Sequence, residues 1–313
     1  MDNGFSEAHN APGGTHGEGR GFGHVAVLLK PAIEFLAVRR GGTYIDATVG
    51  LGGHSWEIAN RLGAQGRLIG FDKDPAALRR ARERLNRPAG ELASDWPQIE
   101  LLHASFAEAA QNVEAGTADG LLADLGVSRY QLTDPERGFS LMAEGPLDMR
   151  MDRSQTKTAD EIVNFTSEKQ LADLIYQLGE ERRSRRISRA IVRARPIHTT
   201  QRLSGVIEVA VPRTSKLHPA TQTFMALRMA VNDEQGQLDR LLADAPDLVK
   251  SGGRIVILSF MSLEDRKVKQ SFQALVRTGR ASMLTRHVVR PAPEEIKNNP
   301  PSRSARLRAV EMR

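Results

Sequence analysis

The segment Tyr44-Ile45-Asp46-Ala47-Thr48-Val49-Gly50-Leu51-Gly52-Gly53-His54-Ser55 constrains the fold more than any other stretch of the chain. It reads as a short strand, a tight glycine turn and the first turn of a helix, the entry loop of a nucleotide-type sheet. Gly50, Gly52 and Gly53 remove side chains where the backbone must bend and where a ligand can approach it. The same strand-then-helix pattern then repeats. Tyr44 to Val49, Arg67 to Asp72, Ile99 to Phe106 and Gly120 to Leu125 are strand candidates. Ile58, Ala59 and Leu62 give the first intervening helix a buried face, and Ala77, Leu78, Ala81 and Leu85 give one to the second, which Asp74-Pro75 caps and opens. Such alternation specifies a parallel sheet with helices on both faces.

After Asp124 the pattern breaks. Residues 127–218 hold helical segments and no convincing strand, so they read as an inserted all-helical subdomain. Within it, Glu181 to Arg195 places Ile187, Ala190, Ile191 and Ala194 on one stripe while Arg182, Arg185, Arg186, Arg189 and Arg193 point elsewhere, until Pro196 ends the helix. That arginine face is either a solvated surface or a phosphate contact. The sheet resumes after His218-Pro219-Ala220-Thr221, which leads a helix through Leu242. Asp247 to Gly253 reads as a helix end with a glycine stop, and Arg254 to Phe260 as a buried fifth strand. A helix from Ser262 to about Arg277 follows, and residues 282–290 and 305–312 are the last strand candidates. At the front, Pro31 suits the first turn of a helix carrying Ile33, Leu36 and Ala37, stopped by Gly41-Gly42. The expected division is a core of residues 23–126 and 219–313, the insertion 127–218, and a disordered Gly-rich tail, 1–22, in which His9 and His16 are unremarkable.

Composition narrows the chemistry. The chain has no cysteine, which removes disulfides, thiolate metal sites and any cysteine nucleophile. Forty per cent apolar and 26% charged residues are the proportions of a soluble globular protein. No apolar run approaches the roughly 20 residues needed to span a bilayer, and no apolar signal core opens the chain, so a cytoplasmic protein is expected. The charge is uneven: residues 1–124 carry a net −4 and the remainder +10. A small-molecule module joined to a part that meets a polyanion fits that asymmetry.

Which small molecule the entry loop holds is an electrostatic question. Gly50, Gly52 and Ser55 nearly spell the dinucleotide fingerprint, and Asp72 stands at about the distance of a ribose-binding acid. Ligands of open parallel sheets sit at the carboxyl ends of the strands, and strands one, two and four end in Asp46, Asp72 and Asp124. Extra carboxylates there repel a pyrophosphate and suit S-adenosylmethionine, which carries an ammonium and a sulfonium. Asp46 could instead merely cap the turn. The competing enzyme is a nicotinamide-dependent oxidoreductase.

The chain resembles the ribosomal RNA small-subunit methyltransferase H family. The resemblance runs from about His24 to the C-terminus and rests on several motifs in order. These are Asp46 to Ser55, Asp124-Leu125-Gly126-Val127-Ser128, Arg137-Gly138-Phe139-Ser140, Gly145 to Asp152, Gly179-Glu180-Glu181-Arg182, His218 to Thr221, and Ser262 to Arg266. It implies a class I methyltransferase core, Rossmann-like and doubly wound, with a helical insertion for substrate recognition. The implied activity is transfer of a methyl group from S-adenosylmethionine to the exocyclic N4 of a cytidine in the decoding region of 16S rRNA. The implied partner is small-subunit rRNA, in a 30S particle, with monomer or homodimer left open and no metal required.

The resemblance also implies roles for matching residues. Gly52, Gly53 and His54 would hold the methionine end of the donor, Asp72 the ribose, and Phe106 the adenine. Asp124 and Gln131 would lie near the methionine amino group and the reaction centre. Asp124 is the candidate acceptor for the cytosine amino group, although Asp124-Leu125-Gly126-Val127 lacks the prolines and aromatic ring of amino methyltransferases that act on DNA. Cytosine C5 chemistry, which uses a thiolate adduct, is excluded. Asp148, Met149 and Arg150, together with Arg186 and Arg189, are expected on the RNA-facing wall. Two positions depart from the family: Met261 stands where an imidazole is usual, and Arg129 where a small serine is usual. A rival of another class, a non-catalytic RNA-binding assembly factor, has no need of Asp72 and Asp124 together.

Overall fold

The computed structural model describes residues 26–86, 94–213 and 217–313; the tail expected over 1–22 lies outside them, as does the side chain of Arg129. Helix α1 (Leu29–Leu36) leads into β1 (Thr43–Asp46), α2 (Gly53–Leu62), β2 (Arg67–Asp72), α3 (Pro75–Leu85) and β3 (Gln98–His103). A 3-10 turn at Phe106–Glu108 and the short α4 (Ala109–Asn112) precede β4 (Ala118–Asp124). The strand order is β3-β2-β1-β4-β5-β7-β6, with β5 spanning Val249–Ser259, β6 Ala281–Met283 and β7 Arg306–Met312. Strands β1 to β5 pair in parallel, and β7 runs antiparallel between β5 and β6. The sequence order reverses between β1 and β4, so the crevice beyond their carboxyl ends is the natural ligand position. This is the α/β, doubly wound and mostly parallel sheet that the sequence leads one to expect.

Alternation along each strand separates two apolar layers. Ile45, Ile69, Leu121 and Ile257 face one side, with α11 (Glu234–Leu248) and α12 (Ser262–Arg277). Tyr44, Leu68, Leu122 and Val256 face the other, with α1 and α2. The insertion contributes α5 (Arg129–Thr133), α6 (Ala159–Phe165), α7 (Glu168–Gly179), α8 (Ser184–Ala194) and α9 (Thr200–Ala210). Its own core is built around Leu171, Ile175, Ile187, Ile191, Leu203 and Ile207. No described helix is long and apolar enough to cross a membrane.

Three local readings differ from the sequence expectation. The helix expected from His218 through Leu242 is two helices, α10 (Thr221–Asn232) and α11, separated by Asp233 in the left-handed region at φ 50°. Phe224, Leu227 and Val231 of α10 join the core of the insertion, so that helix packs with the subdomain expected to end at 218. Residues 249–253 belong to β5 rather than to a glycine-stopped helix end; Gly252, at φ 77°, sits where the pairing of β4 with β5 changes register. Near the C-terminus, the strand expected over 282–290 is only the three-residue β6, Ala281–Met283, and α13 (Pro293–Asn298) lies between the two expected strands.

Candidate active site

The main cavity opens at the carboxyl ends of β1, β2 and β4. Its wall combines the entry loop, Asp72, Phe106, Asp124 and Gln131 with two distant pieces of chain, Ala26-Val27 and the segment contributing Asn298, Asn299 and Pro301. Gly53, His54, Asp72, Phe106, Asp124 and Gln131, all expected at the cofactor, therefore line one space. Gly52 does not line it. It caps α2 at φ 77°, and a Cβ there would face Ala81 of α3 at 3.5 Å. Gly53 does line it, and a Cβ on Gly53 would come within 3.0 Å of the Cβ of Ala26.

The three strand-end carboxyls have different duties. Asp46 is fully buried and does not line the cavity. Its Oδ1 accepts from the Thr48 amide at 3.1 Å and its Oδ2 from Ser55 Oγ at 2.5 Å, so it fixes the turn. The turn-capping alternative is the one the geometry supports, and Asp46 acts on a ligand only through its charge. Asp72 accepts from the amides of Gly50, at 2.7 Å, and Asp74, at 2.8 Å. Each of its oxygens keeps a second lone pair for a ligand hydroxyl. Asp124 lines the cavity: its buried Oδ1 has no hydrogen-bond partner among the described residues, and its Oδ2 lies 3.6 Å from His54 Nδ1.

The His54 ring is oriented from behind. Its Nε2 lies 3.1 Å from the Val27 carbonyl oxygen, which can only accept, so Nε2 carries the hydrogen and Nδ1 faces Asp124. Gln131 is held by a reciprocal cap with Ser128 and donates through Nε2 to Asp74 Oδ2 at 2.9 Å. Phe106 opens a 3-10 turn capped by Ser105 and Glu108, three residues past the end of β3 rather than closing that strand. Aromatic surface is thereby presented to the cavity from a rigid turn.

Burial dominates the electrostatics. It pushes the Asp46 and Asp72 carboxyls up to about 6. It pushes Asp124 up to about 8, with help from the negative charges of Asp46 and Glu264. Two acids not singled out from sequence lie on the same wall, Glu234 and Glu264. Glu234 accepts from Arg228 Nε and Nη2, each at 2.8 Å. Glu264 accepts from the Phe260 and Met261 amides at 3.1 Å, and burial raises its carboxyl. Glu264 stands in the Ser262 to Arg266 motif, so a signal existed. Glu234 follows the helix break at Asp233, which periodicity did not show. Met261 packs its sulfur 3.9 Å from Arg228 Nη2, filling the place of the usual imidazole beside this acid cluster.

A pH dependence follows from these carboxyls. A carboxyl raised in the folded state contributes stability that is complete below its unfolded value, about pH 4, and is lost as pH rises through the folded value. For Asp46 and Asp72 the loss is complete by about 6 and for Asp124 by about 8. The melting temperature of the ligand-free protein should fall between about pH 4 and about pH 8 and level off above that. Asp124→Asn should flatten the upper part of that fall. An unchanged pH slope in the variant contradicts the raised carboxyl.

The residues expected at RNA lie elsewhere. Arg150 grips Asp148 through Nε at 2.7 Å and Nη2 at 2.9 Å, and its Nη1 donates to the carbonyls of Arg153 and Gln155. Met149 is buried with φ 60°, and its carbonyl accepts from Asn232 Nδ2. The visible partners of Asp148, Met149 and Arg150 are thus within the chain, where they staple the insertion to α10. Arg186 and Arg189 are exposed on α8, away from the cavity lining, with Arg189 3.5 Å from Glu168.

Comparison with known proteins adds to this geometry. The model of the MraW methylase family matches residues 21–313. A protein of Koribacter versatilis (strain Ellin345) named ribosomal RNA small subunit methyltransferase H is 56% identical over 309 residues, 97% of this chain and 98% of that protein. Proteins of the same name are 56% identical in Solibacter usitatus, over 93% of this chain and all of that protein, and 52% identical in Acidobacterium capsulatum, over 92% and 98%.

Proposed function

Because the chain belongs to the MraW methylase family, we propose that it transfers a methyl group from S-adenosylmethionine to the exocyclic N4 of a cytidine in 16S rRNA. The observation that carries this reading is the buried Asp124 Oδ1, without a partner among the described residues, in a cavity also walled by Asp72, Glu234 and Glu264. Lys73 and Arg84 are the lining cations, and Lys73 Nζ is held by the Asn232 carbonyl at 3.0 Å. Such a donor set fits a cationic ligand and resists a pyrophosphate. The same balance disfavours the nicotinamide-dependent alternative. Titration calorimetry tests it directly: S-adenosylmethionine should bind and NADH should not. Binding of NADH alone overturns the reading.

Asp72 would hold the ribose, Phe106 the adenine, and Gly53 with the adjoining loop the methionine end. S-adenosylmethionine, when bound, supplies a methyl group on an electron-poor sulfur. The protein must then make a weak nucleophile stronger, since the cytosine amino lone pair is delocalised into the ring. A hydrogen bond from that amino group to the Asp124 carboxylate localises the pair and gives the departing proton a destination. A proton arriving at Oδ2 faces His54 Nδ1, which is the acceptor side of the ring. Cationic charge in the cavity favours the ionised form of Asp124 and so readies it for this role. Alignment of the two reactants by the closed wall supplies the remaining acceleration.

The substrate is rRNA within the 30S particle, met in the cytoplasm, and the exposed arginines of α8 support the basic side of that encounter. Arg186→Ala combined with Arg189→Ala should weaken RNA binding and leave S-adenosylmethionine affinity intact. The slope of log K against log salt should fall by about 1.4 for a single-stranded contact, roughly 0.7 per phosphate lost. An unchanged slope makes that helix purely structural.

A further inference from the structure

A second cleft opens directly beside the reaction cavity. It lies between the first turn of α3, the short helix α5 and the 134–153 loop, with Met151 lining both spaces. Tyr130, in the cleft, and Gln131, in the cavity, are consecutive residues of α5. We propose that this cleft binds the nucleotide next to the target cytidine, with the Tyr130 ring stacking its base and Arg79 and Arg153 meeting its phosphate. The proposal rests on the RNA substrate of the preceding section.

The floor of the cleft is built, not incidental. Arg137 is 5% exposed and pairs through Nη1 with Asp74 Oδ2 at 2.8 Å. Its Nη2 donates to the carbonyls of Arg150, at 3.1 Å, and Met151, at 3.0 Å, while Nε has no partner among the described residues. The same Asp74 oxygen accepts from Gln131, so one carboxylate ties the cleft floor to the cavity wall. A ligand that orders the cleft therefore bears on Gln131 at the reaction centre.

The wall carries the chemistry of a nucleotide. The Arg80 guanidinium stands 3.8 Å from the centroid of the Tyr130 ring and braces it. Arg79 is exposed and forms no ion pair among the described residues. Arg153 is half exposed, donates to the Glu136 carbonyl, and lies 3.9 Å from Asp148, whose charge Arg150 already meets. The acid at the rim is Asp134, which accepts from the Glu136 amide. Aromatic surface flanked by arginines suits an unstacked base and its phosphate. A base withdrawn from its stack also needs its neighbour held, or the strand slides back.

The test is binding of a single-stranded RNA oligonucleotide with one central cytidine, compared with the same oligonucleotide carrying abasic flanking positions. The wild-type chain should bind the abasic version about tenfold more weakly, the scale of one base–aromatic stack. Tyr130→Leu should bind both equally and weakly, whereas Tyr130→Phe should behave as wild type. Arg79→Ala should lower the salt slope by about 0.7. S-adenosylmethionine affinity should be unchanged in each variant, which reports an intact fold. Indifference of the wild type to the flanking bases, wild-type discrimination by Tyr130→Leu, or no binding of the oligonucleotide overturns the proposal. Because binding is read without turnover, a failure of the N4-methylation assay is distinguishable from a failure of this cleft.

Discussion

Asp124→Asn should lower the single-turnover rate of methyl transfer by about 10²- to 10⁴-fold, the range of a positioned proton acceptor. The substitution preserves shape and removes the negative charge and the ability to take a proton. Asp124 lines the cavity with its buried Oδ1 unpartnered among the described residues, and no other carboxyl lining the cavity ends a strand beside His54. Affinity for S-adenosylmethionine should change far less than the rate, because Asp72 and the entry loop hold the rest of the donor. Ligand-free Asp124→Asn should melt higher than wild type above about pH 8, since a buried carboxyl with a raised pKa no longer has to ionise. A variant that keeps the wild-type rate moves the proton acceptor elsewhere, with Glu264 the next lining carboxyl.

Gly53→Val should weaken S-adenosylmethionine binding by at least about 100-fold, a loss of roughly 3 kcal/mol. The added Cβ meets Ala26 at 3.0 Å, and the two further methyl groups have only the cavity or the Ala26-Val27 wall to enter. That wall carries the carbonyl that orients His54, so donor site and acceptor site are disturbed together. Gly52→Ala acts differently. Its Cβ has ordinary contact with Ala81, and the cost is the left-handed backbone, about 1–2 kcal/mol of stability with little direct effect on the cavity. Calorimetry and thermal melting on the two variants separate the effects. Equal loss of donor affinity in both contradicts the placement of Gly53 on the cavity wall.

Much of the sheet was legible because its signals are local. Strand β2 and its terminal Asp72, the Asp74-Pro75 start of α3 and the arginine face of α8 are each encoded in fewer than a dozen neighbouring residues. The strand-end carboxylates were legible as a set, but their separate duties were not. Asp46 faces Ser55 and Thr48 rather than the ligand space, and side-chain direction at a strand end depends on the turn that follows. Asp233 breaks α10 from α11 through a positive φ that carries no glycine to announce it. The cavity wall hid best. Val27 and Asn299 are separated by most of the chain, yet the Leu28 amide donates to Glu295 Oε1 at 2.7 Å and brings both segments to the entry loop. Periodicity reports which face of an element is buried, and it is silent on which distant segments close over a site.

The most direct measurement uses labelled S-adenosylmethionine and small ribosomal subunits from a strain lacking this gene. Nucleosides from the incubated 16S rRNA should carry the label in N4-methylcytidine, and Asp124→Asn should leave that nucleoside unlabelled over the same time. Label confined to another nucleoside, or none with the wild-type protein, contradicts the assignment.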